Sequence, residues 1–262
     1  MSLALQKNVY MRNVGKVCLG TVNSDGTKNA ARFVGNAPEV SIEPEVDKEE
    51  VKDSTSPENL IDKVITKQRK AKVKIKLKSV HAENLALVAG GTKVSISSSS
   101  VTGELSPASL AADDLWKLKQ ENVSSVVITD SAGTPATLVL GTNYRIIDAG
   151  FGQIELINLT GFTPPLKAAY SYASRTQVVI LNAGDLEFFV EFHGKNTANG
   201  NKRMFAEVYR LQGDPAKEIP LINDESATLE LEFTALFDST KSSDSTLGAF
   251  GRVSYVDAQL PA

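Results

Sequence analysis

Along much of the chain apolar and polar residues alternate with a period of two, the signature of half-buried strands rather than helices. In KVCLGTVNSDGTKNAARFVG, Val17, Leu19 and Val22 precede the turn signal Asp25-Gly26, and Ala31, Phe33 and Val34 follow it. That arrangement predicts a β-hairpin. From Ala71 the alternation is strict: Lys72, Lys74, Lys76 and Lys78 are interleaved with Val73, Ile75 and Leu77. It predicts a strand with a lysine face and an apolar face, extended back into the sixties. Leu60, Ile61, Val64 and Ile65 also fit helical spacing behind a Ser56-Pro57-Glu58 cap, a helix that would run to Lys67.

Two short helices are predicted. HAENLALVAGG, 81–91, puts Leu85 and Val88 on one face and ends in Gly90-Gly91, which can supply a left-handed stop. PASLAADDLWKLKQE, 107–121, follows Ser106 as N-cap, with Pro107 in the first turn. Beyond residue 122 the pattern is β throughout, broken by Gly, Pro and Asn turns. Residues 122–176 read as a compact β insertion. LEFFVEFHG and KRMFAEVYRLQ then flank KNTANGN as a long hairpin, followed by TLELEFTALFD, a polar loop at 238–246 and GRVSYVDA.

Charge changes this picture locally. Residues 39–53 hold seven acids, Glu39, Glu43, Glu45, Asp47, Glu49, Glu50 and Asp53, against Lys48 and Lys52. With so few apolar residues the segment is expected to be an exposed arm or loop. Residues 63–78 then carry eight cations and no acid. Across 262 residues the formal net charge is only -3, so the basic run is local and a general polyanion binder is not indicated.

Candidate chemistry is sparse. Cys18 is the single cysteine and His81 and His193 are the histidines, too few for a cysteine metal cluster, a disulfide or a His-based nucleophile system. Glu187 and Glu191, four residues apart on a strand, would sit roughly 13 Å apart. That exceeds the span of about 5 to 9.5 Å used by glycosidase carboxylates. GGTKVSIS at 90–97 lacks the glycine spacing of a phosphate loop, and the acidic segment lacks the glycine and terminal glutamate of a calcium loop. The expectation is therefore no enzyme and no cofactor. The sequence shows neither a signal-peptide pattern nor an apolar run long enough to span a bilayer, so the expectation is a protein made in the cytoplasm, away from membranes.

An unpaired lysine row repels itself, so partners are expected for it. Glu230 and Glu232 in TLELEF, and Glu187 in LEFFVEF, are candidates to pair with Lys72, Lys74, Lys76 and Lys78 as wall charges of a sheet. The acidic arm, through Glu43, Glu45, Asp47, Glu49 and Glu50, is expected to reach the basic residues Lys67, Arg69 and Lys70 of another subunit. Such a contact is heterologous, the type that closes into rings or continues as a filament. The alternative is a monomeric β module that holds nucleic acid or another polyanion on the Lys72–Lys78 strand. No aromatic residue lies between 34 and 115 to stack bases beside it.

The order FVGNAPEVSIEPEV, KEEVKDSTSPENLIDKV, KAKVKIKLKSV, HAENLALVAGG resembles the major tail (tail tube) proteins of tailed bacteriophages. The later text LVLGTNYRIID, LKAAYSYAS, LEFFVEFHGKNTANGNKRMFAEVYRL and LELEFTALFD is similar to larger members of that group. The resemblance implies a mainly β fold, a β-sandwich or half-barrel with one or two short flanking helices, contributing strands to a ring-shaped oligomeric barrel related to the type VI secretion tube. Stacked, hexameric rings would form a virion tail tube assembled in the host cytoplasm. It would meet other tail proteins at its ends and, where one exists, a sheath. With about 24 strands tilted near 40°, the backbone bore would be roughly 48 Å across, enough for a double helix to pass without specific binding. On this reading residues 1–121 and 177–262 are the tube domain, about 39–66 is a stacking arm toward the adjoining ring, and 122–176 lies on the outer surface.

Overall fold

The computed structural model describes residues 10–55, 58, 60–216, 218–224 and 226–256, and these form two compact units. The first takes in the described parts of Met1–Lys93 and Val178–Ala262; the second is Val94–Gln177. In chain order the first unit begins with β1 (Asn13–Val22), β2 (Arg32–Phe33), β3 (Glu39–Lys52), β4 (Ile61–Leu77) and the helix α1 (Ala82–Val88). The chain leaves it through β5 (Thr92–Ile96). The second unit holds β6 (Ser99–Leu105), β7 (Leu115–Lys117), β8 (Val123–Thr129), β9 (Tyr144–Asp148), β10 (Gln153–Leu156) and β11 (Lys167–Tyr172). The return runs through β12 (Arg175–Val179), which pairs with β5. It is followed by β13 (Glu187–Asn196), β14 (Lys202–Asp214), β15 (Leu229–Ala235) and β16 (Gly251–Val256).

The first unit is built on an open sheet in the order β2-β1-β13-β14-β15-β4-β3, with β16 added alongside β14. All its ladders are antiparallel. The fold is thus mainly β with one short helix among the described residues, and the sheet is not closed into a barrel. Period-two patterning explains its core. Val73, Ile75 and Leu77 of β4 bury beside Leu229, Leu231 and Phe233 of β15, Val17 and Leu19 of β1, and Val190 and Leu211. Val88 joins them from α1, which packs against β15.

Two local devices seat these elements. Asn84 on α1 is 0% exposed, and its amide donates to the carbonyls of Val34 (2.7 Å) and Ser79 (2.8 Å), tying the helix to the end of β2 and the end of β4. Gly15 and Gly194 face each other across β1 and β13, and the Phe192 ring lies over both; a Cβ at either position would overlap that ring or the opposite backbone.

In the second unit two three-stranded sheets, β7-β10-β9 and β6-β11-β8, share one core of Trp116, Leu118, Ile128, Ile154, Leu156, Leu166 and Tyr170. Glu104 and Ser106 inside it are hydrogen-bonded. Buried Glu104 accepts from the Tyr170 hydroxyl and from the Lys119 N–H (2.9 Å), and Ser106 Oγ accepts from the Leu166 N–H (2.9 Å). Burial, then the bond to Glu104, pushes the Tyr170 phenol well above its ordinary pKa.

The strand does extend back into the sixties, which rules out the alternative helix there, and three expectations are corrected. The helix at 107–121 does not form: Asp113 has φ +68°, outside helical space, and Trp116 and Leu118 alternate into the sandwich core from β7 and its end. A helix running to Lys67 is excluded because Ile61–Leu77 is one strand; Ser56 and Pro57 lie outside the described residues. The acidic run is exposed but is not an unpaired arm, since Glu39–Lys52 is a strand paired along its length with β4. The β insertion also begins earlier than the pattern indicated, at Val94 rather than residue 122, because β6 and β7 belong to its two sheets.

Candidate functional site

The most distinctive surface follows from β4. Its apolar positions face the core, so its lysines project from the opposite face, flanked by β3 on one side and β15 on the other. Lys76 stands directly across from Glu39 of β3 and Glu230 of β15, and meets them at 2.8 and 3.8 Å. Lys74 lies opposite Ser41 and Glu232 but bonds diagonally to Glu43 at 2.8 Å. Lys72 lies opposite Glu43 and Thr234 and bonds diagonally to Glu232 at 2.7 Å. Three lysines thus interdigitate with four carboxylates. The hydrogen bond to Glu232, Glu43 or Glu39 respectively holds Lys72, Lys74 and Lys76 above the ordinary lysine pKa.

The partners are therefore in the same chain. Glu39 and Glu43, which the composition of their segment assigned to another subunit or left aside, come from the neighbouring strand of one hairpin. Their signal was present in EVSIEPEV, where Glu39, Ser41, Glu43 and Glu45 alternate with Val40, Ile42 and Pro44 as the lysines do with Val73 and Ile75. Glu187 is not part of this ladder. Its carboxylate takes both Arg210 Nε (2.8 Å) and Nη2 (2.6 Å), and the Arg210 hydrogen bonds hold it below the ordinary glutamate pKa. Lys78 lies past the end of β4, where its backbone N–H donates to Asn36, and makes no ion pair among the described residues.

Beyond the Pro44–Ala71 pair the same two strands leave the core and continue as a ribbon. Residues 45–52 extend it by roughly 25 Å at strand rise. Lys70 meets Asp47 at 2.9 Å and Lys67 meets Glu49 at 3.3 Å, while Glu45, Glu50 and Arg69 make no close ion pair among the described residues. The ribbon is exposed on both faces, and Val46, Val51, Ile61, Val64 and Ile65 are 37–52% exposed on it. Val64 and Ile65 are consecutive and point to opposite faces, so the aliphatic side chains are shared between the two faces rather than gathered on one, and a bulge between Asp47 and Lys48 shifts the register beside them.

The arrangement offers charge complementarity and an uncovered backbone edge at β3. Among the described residues no group of three His, Cys, Asp or Glu side chains is placed to hold a metal ion, and no helix is long and apolar enough to cross a membrane. His193 pairs with Glu191 at 3.0 Å and packs edge-on against Phe205. Burial, reinforced by Glu191, raises the Cys18 thiol above its ordinary pKa, away from a reactive thiolate. A family model described as Protein of unknown function UCP028589 matches residues 10–254. No curated protein matches the chain.

Proposed function

The chain belongs to this family of unknown function, and we propose that it is a structural virion protein, without catalytic activity, that self-assembles into the tail tube of a phage. Copies join edge to edge into hexameric rings, the rings stack, and DNA passes through the lumen during ejection. The observation that supports this most directly is the projecting β3–β4 ribbon. A two-stranded ribbon is marginal in water without a surface to pack on. This one carries exposed aliphatic residues on both faces and ends the sheet with a long strand edge at β3, features that a neighbouring copy would cover. Its mixed charges suit a contact with the adjoining ring that salt would weaken.

The ladder supports the same reading. A bore lined with unpaired lysines would release counterions from each phosphate it met and retain DNA. Lys72, Lys74 and Lys76 interleaved with Glu39, Glu43, Glu230 and Glu232 present a nearly balanced face instead. The same balance weighs against the polyanion-binding alternative. The unit Val94–Gln177 is assigned to the outside of the tube, where it would not obstruct the bore. Other tail proteins would close the two ends.

Negative-stain microscopy and sedimentation of the concentrated protein test this. Rings or stacked tubes with a central channel are expected. A protein that stays monomeric at high concentration and shifts DNA in a salt-sensitive way would overturn the reading.

A further inference from the structure

A groove of about 340 Å³ opens beside α1, floored by Leu19, Leu186 and Phe188 and edged by Arg32, Glu83 and Lys93. Its edge is electrostatically incomplete. Arg32 Nη2 is buried and donates to nothing among the described residues. The acid that acts on it, Glu83, is already bonded to Lys93 at 2.6 Å. A guanidinium cannot shed its proton to relieve this, and Arg32 lines the groove, so a carboxylate entering there would meet its charge.

The same unit carries a segment of matching character. Leu221 and Ile222 are 90% and 97% exposed, the most exposed large hydrophobics among the described residues, and Asp224 follows two residues later. Single exposed aliphatics are ordinary. An adjacent pair this bare, with a carboxylate beside it, fits an apolar floor edged by a cation that shares its one acid with Lys93. In its own chain the segment stays exposed, although Ala216 just upstream is tied to the end of α1 through the Val88 carbonyl (2.8 Å).

We propose that residues 221–224 of one copy seat in the α1 groove of the next, Leu221 and Ile222 on the apolar floor and Asp224 accepting from Arg32. This rests on the self-assembly reading in that the occupant is a second copy. The contact is heterologous: each copy offers a plug on one side and a socket on the other, which propagates around a ring.

The test uses full-length protein with Cys18→Ser. One preparation carries Ala30→Cys at the groove edge, another Ile222→Cys, both at exposed positions. The two are mixed at assembling concentration and treated with a short bis-maleimide. A mixed dimer should exceed either self-crosslink. Arg32→Glu in the groove copy should abolish it, and Asp224→Arg in the loop copy should restore it. Leu221→Ser with Ile222→Ser should leave the monomer's melting unchanged and weaken association roughly tenfold or more, the burial of about one aliphatic side chain. Absence of the mixed dimer overturns the inference even where tubes form, and so does a chain bearing both cysteines that crosslinks internally when dilute. A mixed dimer without rings or tubes would support the contact and count against the tail-tube reading.

Discussion

Asn84 fixes the helix over the sheet through two hydrogen bonds that no hydrophobic side chain could replace. Asn84→Ala removes both donors and leaves the Val34 and Ser79 carbonyls without them, so a loss of about 2 kcal/mol is expected in denaturant unfolding. Asn84→Asp should be worse, since it turns a carboxylate toward two carbonyl oxygens. Glu187 gives a pH-dependent counterpart. Its folded pKa lies below the ordinary 4.5 because Arg210 hydrogen-bonds the charged form. A depressed carboxylate contributes stability above its unfolded pKa and loses it as pH falls through the folded one. The melting advantage of the native protein over Glu187→Gln should therefore be constant from neutral pH down to about 4.5 and shrink below it. An advantage that grew on acidification would contradict the Arg210 assignment.

At the scale of elements the β3–β4 hairpin shows what sequence could and could not convey. The lysine strand was legible because Val73, Ile75 and Leu77 alternate strictly with cations. The acidic strand was not, because seven acids in fifteen residues suggested solvation while the short alternation Val40, Ile42 was hidden in it. What makes it a strand is nonlocal: Glu39 and Glu43 lie beside Lys76 and Lys74, and charge that would repel in isolation becomes attractive in the pair. The helix expected at 107–121 failed for a similar reason. Its local cap was plausible, but burying Trp116 and Leu118 between two sheets favours an extended backbone. Arg32 left no signal at all, since a guanidinium nitrogen without an acceptor is defined only by the groove around it. Lys74→Glu places a third carboxylate between Glu43 and Glu232. It should lower the melting temperature most at low ionic strength, with the deficit narrowing as salt is added. A salt-independent deficit would mean that the ladder acts through packing rather than charge. Joining Pro44 to Ala71 by an Asn-Gly turn removes the projecting ribbon while keeping the core pairs. The monomer's melting should be nearly unchanged because that ribbon buries little, yet sedimentation should show no rings or tubes.

For the whole molecule the proposed assembly raises the question of why a tube subunit would carry a second unit. Val94–Gln177 has its own two sheets and its own core, and buried Glu104 and Ser106 find their hydrogen bonds within it. The chain enters through β5 and returns through β12, which pair with each other, so the excursion begins and ends at one place. An insertion of that kind can be removed by joining the two strands without stretching the rest of the chain. If the first unit alone supplies the tube wall, replacing residues 97–174 with a short Gly-Ser loop should leave it folded and assembling. Electron microscopy of the shortened protein should then give tubes with an unchanged bore and a smaller outer diameter. A widened bore would place the second unit inside the channel, and monomers alone would make it part of the subunit contact. The first outcome is expected because edge β3, the ribbon, the α1 groove and the exposed pair Leu221 and Ile222, the features the assembly proposal relies on, all belong to the unit that remains.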